Sequence, residues 1–429
     1  RQNIKQITSA TALDAAIKDR LDARTDQDKD IPKRELTSML LSKAFLDQFR
    51  ALDKVTTAPV FQADFTPVEP GYNPGDEGFR TLFFGEPVDL AEDLELIPTF
   101  LDVMEFKEAA DRTNAVALAL TVYLRNHWPG AKPLGAILGN KSHCGKDTVR
   151  DFAAGRVPYR EISWQSTDWP VQQAAEKVLR DADVGILSVG NVRSNGRPVS
   201  SAFLERFVTD PEPTLNSTKT RNARQRRNDI VVTITANQGR LSPDLLNRAL
   251  VIRLETTGNV RDREPDIGNP RHEFLPANRK QIEAELALMV QRWKDEGCPK
   301  DEKVSHPMTE WAATIGGILD VNGFDDFLEN YGDVVSGQED ERRALAILGA
   351  AKPDEWLRPG EWVREVGKEG LTRRLISTVD RENFRSKRRR IGELLSSHQD
   401  ESLYRENEDD DAPTAFGLQK QRKRWKTGA

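Results

Sequence analysis

Ten consecutive residues carry the densest chemistry in the chain: Gly139, Asn140, Lys141, Ser142, His143, Cys144, Gly145, Lys146, Asp147 and Thr148. They follow a short apolar run, LGAIL at 134–138, and lead into a helical pattern at 145–154. A loop of this kind between a buried strand and a helix cradles phosphate. Backbone N–H groups at the helix N-terminus face the anion, Gly145 permits close approach, and Lys146 reaches the outer phosphates. The phosphate-loop pattern G-x-x-x-x-G-K-[ST] asks for glycine at 140, where Asn140 stands, with Gly139 one place early. It asks for Ser or Thr at 147, where Asp147 stands, with Thr148 one place late. The plain alternative is an ordinary glycine-containing turn. His143 and Cys144 have no catalytic partner in sequence and read as loop filler.

Cleaving a bound phosphate ester needs a carboxylate at the end of a neighbouring strand, to hold magnesium and polarise water. The apolar run VGILSVG at 184–190 is suitably placed, but Gly190 stands where the acid belongs, and Asp183 lies at the wrong end. The segment TITAN ends a strand at Asn237, an amide suited to bonding a terminal phosphate or orienting water. Arg248 follows in PDLLNRAL, a cation suited to transition-state charge. Taken singly, Asn237 reads as a strand-end turn residue and Arg248 as a surface ion pair. Their order after the loop favours the phosphate reading.

The elements that must position these groups are legible as patterns. A helix is expected within 35–53, irregular strands and turns over 59–90, and one helical stretch from 94 to about 126. Buried strands at 134–138, 184–190, 229–236 and 251–255 alternate with helices at 145–154, 171–182, 200–208 and 243–250. That alternation implies a parallel α/β sheet covered on both faces. Helices are expected at 277–296, 308–321 and 324–331, then at 339–350, 359–369 and 383–397. The organisation read from this is an N-terminal collar or linker at 1–93, a core at 94–258, a helical lid segment at 259–336 and a C-terminal domain at 337–429.

Composition excludes several classes. No apolar run reaches the ~18 residues of a membrane span. Two cysteines, Cys144 and Cys298, make no disulfide framework and fit a reducing, cytoplasmic setting. Five scattered histidines show no zinc-ligand spacing. Arg1 is not an initiator methionine, so the chain is expected to be part of something longer.

The segments ILGNKSHCGKDT, GILSVGNVRSNGRPVSSAFLERFVTD and IVVTITANQGRLSPDLLNRALVIRLE together resemble the AAA+ ATPase modules of phage, plasmid and genomic-island primase–helicases, relatives of superfamily III helicases. Asn191, Val192, Asn237, Leu241, Asp244, Leu245, Arg248, Ile252, Arg253 and Leu254 fall on that family's pattern. The resemblance implies an α/β P-loop, AAA+-like core and a homo-oligomeric, hexameric ring around DNA. It implies ATP and Mg2+ as cofactors, and a primase or polymerase domain on the N-terminal side. Residues 139–148 and Asn191 would bind nucleotide, with Lys146, Asn237 and Arg248 catalytic, Arg248 acting on a neighbouring subunit. Asp147 and Thr148 are the candidate metal ligands. Gly190, Asp147 and Asn247 depart from the pattern. Gly190 opposes hydrolysis but not binding, and Asp147 is the candidate to compensate for it.

Net charge is −6, yet cations cluster three times. Lys219, Arg221, Arg224, Arg226 and Arg227 precede the Asn237 strand, where a ring helicase points a hairpin into its channel to track single-stranded DNA. A subunit-interface salt-bridge network is the plain alternative. Arg385, Lys387, Arg388, Arg389 and Arg390 open the third helix of an expected winged helix, and Arg422, Lys423 and Arg424 lie in its wing, a footprint for duplex DNA. Protein docking is the alternative there. The leading reading is an ATP-driven, ring-forming DNA helicase or helicase-like replication motor of a mobile element; the alternative is a nucleotide-binding DNA-assembly or initiator scaffold, or a defence ATPase, with little or no hydrolysis because of Gly190.

Overall fold

The computed structural model describes residues 38–40, 42–48, 50–165, 167–181, 183–192, 199–213, 227–237, 241–256, 265–331, 344–345, 347–352, 355–376, 383–397, 404–406 and 416–418. The chain forms two compact units, 1–53 and 54–429. In the first, the described residues 38–40 are helical, and α1 (Lys43–Leu46) is a single turn capped by the Ser42 hydroxyl, which accepts from the Phe45 N–H. The rest of the helix expected over 35–53 is not formed as one run.

The second unit opens with a small mixed sheet of β1 (Lys54–Thr56), β2 (Gly71–Asn73) and β3 (Thr81–Phe83), in the order β1-β3-β2. The main sheet has five strands, all parallel: β4 (Leu134–Gly139), β5 (Tyr159–Ser163), β6 (Ile186–Val192), β7 (Val231–Asn237) and β8 (Ala249–Leu254). Their order is β5-β6-β7-β4-β8. β4 therefore sits between β7 and β8, with Gly139 level with both Asn237 and Leu254. β7 is central and β-branched, which suits a strand buried on both faces.

The chain leaves β4 for the far edge strand β5, then returns through β6 and β7 and steps over β4 to β8. Right-handed crossovers put the first connection on one face and the later three on the other. Accordingly α4 (Lys146–Ala154) packs with α3 (Ala109–Tyr123). α5 (Trp169–Arg180), α6 (Ala202–Phe207) and α7 (Pro243–Leu246) form the second layer. α3 is buried on nearly every side, as a helix between a sheet and other helices must be.

Two expectations change here. The helical stretch from 94 to 126 is two helices, α2 (Leu96–Asp102) and α3. The intervening residues run along the free edge of β8: Phe106 bridges Leu254, and the Lys107 N–H donates to the Arg253 carbonyl at 2.9 Å. The helix expected at 324–331 is only a turn at 329–331. Asp326 and Leu328 both have positive φ, and the Leu328 N–H donates instead to Asn114 Oδ1 at 3.2 Å. β5 has no counterpart in the pattern, because Tyr159, Arg160 and Glu161 are exposed on an edge and show no apolar alternation.

A turn of π-helix at Pro270–Phe274 leads into α8 (Leu275–Asp295), which α9 (Thr309–Val321) packs against. α8 is tied to the core by two buried acids. Glu285 accepts from the Leu96 and Ile97 N–H groups at 2.7 and 2.8 Å, capping α2, and Glu283 pairs with Arg156.

The remaining chain has its own small core around Trp362, Leu345, Leu375 and Leu394. Its described elements are helical residues at 344–345 and 347–351, β9 (Trp356–Leu357), α10 (Pro359–Lys368), α11 (Thr372–Leu375), α12 (Phe384–Ser397), β10 (Tyr404–Glu406) and β11 (Phe416–Leu418). The three strands form an antiparallel sheet in the order β10-β11-β9. Among the described residues no helix is long and apolar enough to cross a membrane.

Candidate functional site

The carboxyl ends of β4, β7 and β8 meet at one place, and the loop after β4 lies over it. Asn140 anchors the loop's first turn to the residues after β8. Its N–H donates to the Leu254 carbonyl, and its side chain exchanges two hydrogen bonds with the Thr256 backbone, all at 3.1 Å. Cys144 is fully buried beneath the loop. A Cβ on Gly139 would overlap Cys144 Sγ, so only glycine lets the loop fold back that closely. His143 and Gly145 both take positive φ, 65° and 98°, turning the chain into α4. The N-cap residue, Gly145, gives the first turn of α4 no side-chain cap.

Lys146 bends back into this loop. Its ammonium donates to Asn237 Oδ1, to the Lys141 carbonyl at 3.2 Å and to Cys144 Sγ at 3.6 Å. Asn237 Nδ2 lies 3.4 Å from Ser142 Oγ, closing a ring of polar contacts. Lys141, Ser142, His143, Lys146 and Asn237 are thus gathered at one point, and the strand register explains why: Asn237 pairs with Gly139. A cation inside a curl of backbone, at the start of a helix, is chemically suited to an anion.

Below the loop lies a charge cluster the sequence did not signal. Arg150, one turn along α4, is 1% exposed. Its guanidinium contacts Asp151 at 2.8 Å, Glu161 at 2.9 Å and Asp147 at 3.5 Å, and it lies over the Tyr159 ring. Burial alone would lower the Arg150 pKa, but Asp151, Tyr159 and Glu161 together outweigh it, and the net shift is upward. Arg271, on the π-turn, reaches the same group: Nε to Asp151 at 2.7 Å and Nη1 to Asp147 at 3.4 Å. Its pKa is also raised, with Asp151 and Asp147 outweighing burial. Neither arginine stands in a recognisable motif. Only the fold brings residue 271 to residue 147.

Gly190 has a structural reason. A Cβ there would lie 2.8 Å from Glu161 Oε1, so a carboxylate from the neighbouring edge strand fills the space beside it. Asn191 follows on β6, but its side chain lies outside the described residues.

These positions bear on the metal. Asp147 has a guanidinium against each carboxylate oxygen, and Thr148 is buried at 9% exposure. Among the described residues no group of three or more His, Cys, Asp or Glu could hold a metal ion. The donor set does not suit Mg2+, which wants charged or neutral oxygens free to complete an octahedron.

Arg248 lies at the opposite end of the sheet. Its carbonyl accepts from the Leu134 N–H at 3.0 Å, at the start of β4, and its guanidinium bonds the Asp244 carbonyl at 2.7 Å. From Leu134 to Gly139 is about 17 Å at ~3.3 Å per residue, so Arg248 cannot reach the loop of its own chain.

Of the cations assigned to DNA, Lys219, Arg221, Arg224, Arg226, Arg422, Lys423 and Arg424 lie outside the described residues. Arg227 is docked on the N-terminal sheet region, its Nη1 on the Glu77 carbonyl at 2.9 Å and its guanidinium over the Phe79 ring. On α12, Arg385, Arg388 and Arg389 are exposed, Lys387 and Arg390 half-buried, and Phe384 is 51% exposed beside them.

No protein-family model matches the chain, and no curated protein matches it. Among solved structures it is similar to the apo C-terminal region of NrS-1 in its A form, at 12% identity and a TM-score of 0.41, covering 90% of this chain and 89% of that one. Two shorter apo structures of the same region match at 14% and 13% identity, each with a TM-score of 0.37 and covering 81% of this chain and 84% of theirs.

Proposed function

We propose that the chain is a nucleotide-binding, DNA-binding assembly factor of a mobile-element replication system, with little ATP hydrolysis. One observation carries the nucleotide reading: Lys146 sits within a strand–loop–helix curl at the carboxyl end of β4, against Asn237 and beside the uncapped start of α4. ATP phosphates would lie on the α4 N–H groups and the Lys146 ammonium. The mobile-element context rests on the sequence resemblance. The weak-hydrolysis reading is supported by the carboxylates near the loop, since Asp147, Asp151 and Glu161 are each engaged by an arginine.

DNA would be held by the C-terminal domain. Its helices followed by the β10–β11 hairpin, with β9 completing a three-stranded antiparallel sheet, support a winged helix, and α12 would lay Arg385, Arg388 and Arg389 along duplex phosphates.

A ring-forming motor is the second reading, and the position of Arg248 favours it. A cation at the amino end of the sheet acts on phosphate only in a neighbouring copy. The two readings separate on ATP turnover with and without single-stranded DNA. ATP binding to the intact chain tests both: Lys146→Ala should abolish it, and unchanged affinity would show that 139–148 is not a phosphate loop.

A further inference from the structure

The carboxylates beside the loop are already engaged by arginines. Three carboxylates (Asp147, Asp151 and Glu161) face the Arg150 and Arg271 guanidiniums, with the Lys146 ammonium nearby. A divalent cation seated on Asp147 would join two guanidiniums already at 3.4–3.5 Å from that carboxylate, and would meet repulsion rather than a vacant ligand.

The two arginines are not equivalent. Arg150 is sealed in at 1% exposure, while the Arg271 side chain is 33% exposed and Asp147 45%. Arg271 holds Asp151 firmly through Nε at 2.7 Å and Asp147 loosely through Nη1 at 3.4 Å. Its backbone is fixed: Asn269 Oδ1 accepts from the Arg271 and His272 N–H groups. The π-turn is clamped to α4 by aromatic stacking of Phe274 on Phe100 and of Phe100 on Phe152. The Nη1–Asp147 contact is the weaker of Arg271's two, and the one a competing anion would displace. Asp147 lies in the first turn of α4, whose N–H groups belong to the candidate phosphate seat.

Resting on the phosphate-loop reading above, we propose that this site binds nucleotide phosphate without a divalent cation, and that the Arg271 guanidinium supplies the counter-charge a metal would otherwise bring. Binding exchanges one weak contact, Arg271 Nη1 to Asp147, for a charge-assisted bond to a phosphate oxygen. No covalent step is involved.

The test measures ATP and ADP affinity of the full chain by calorimetry, once in excess EDTA and once in millimolar Mg2+. The expected affinities agree within about threefold. Arg271→Ala should weaken binding about tenfold in EDTA, and Arg271→Lys should recover part of it. Asp147→Asn, a near-isosteric change, should tighten binding in EDTA, because it weakens the hold on Arg271 Nη1. Wild-type binding more than tenfold stronger in Mg2+ overturns the proposal, as does Asp147→Asn that weakens binding only in Mg2+. The underlying reading fails differently: Lys146→Ala then leaves affinity intact in both buffers, or the wild-type chain binds in neither.

Discussion

Restoring an acid at position 190 is the natural way to ask whether the site lacks only one group for hydrolysis, and the structure predicts that it does harm. In Gly190→Asp the new Cβ lies 2.8 Å from Glu161 Oε1, 3.7 Å from its Cδ and 3.8 Å from its Cγ. The clash is with the far end of a flexible side chain, so Glu161 moves and the backbone stays. Two carboxylates about 4 Å apart repel by about 4 kcal/mol at an effective dielectric near 20. The Glu161 side chain is 44% exposed, and water reduces the repulsion to about 1 kcal/mol. Displacing Glu161 also loosens its 2.9 Å bond to the buried Arg150, which keeps Asp151 at 2.8 Å. A total loss of about 1–2 kcal/mol follows. The assay is urea unfolding in a double-mutant cycle with Glu161→Gln. In the Glu161→Gln background the cost of Gly190→Asp should fall by about 1 kcal/mol, because one charge of the repelling pair is gone. An equal cost in both backgrounds would mean that Glu161 does not occupy the space beside Gly190. A rise in ATP turnover from Gly190→Asp alone would equally refute the reasoning.

Other consequences are accessible to simple measurements. Gly139→Ala should disable nucleotide binding while costing about 1–3 kcal/mol of stability, since its Cβ overlaps Cys144 Sγ and crowds Lys146 Nζ at 3.2 Å; normal ATP affinity in that variant would contradict the loop geometry. Burial lowers the pKa of both His127 and His306 to about 4, so each is neutral when folded and charges on unfolding below pH 6.5. The unfolded state then binds more protons, and stability should fall as pH drops from 6.5 toward 4, by on the order of 3 kcal/mol per histidine. His127→Phe, which keeps the stack on Phe65, should flatten that profile in urea titrations at pH 4, 5, 6 and 7. Neutralising Lys387, Arg388 and Arg389 together should lower duplex affinity and reduce the slope of log K against log salt by about 2–3, read by fluorescence anisotropy; an unchanged slope would remove α12 from the DNA surface.

The sequence alone determined the local units. An apolar run meeting Gly-x-x-x-x-x-Gly-Lys predicts strand, loop and helix over 134–154, and the β-branched run before Asn237 predicts a strand; both form within a few residues of where the pattern puts them. Such signals depend on side chains two to four positions apart, which is the range over which strands and helices are encoded. β5 escaped because an edge strand with Tyr159, Arg160 and Glu161 in solvent carries no such alternation. What surrounds the loop was decided only by tertiary structure. Strand order sets Asn237 beside Gly139 and sends Arg248 to the far end of β4. The β5–β6 register pairs Glu161 with Ser188, from where its side chain reaches the space beside Gly190, and the π-turn carries Arg271 back to Asp147 and Asp151. The contacts of Asn237 and Arg271 with the loop helix span roughly ninety to 120 residues of chain. No periodicity reaches that far, because the free energy that fixes these partners comes from burying whole faces of the sheet and its helices, not from the residues that end up touching.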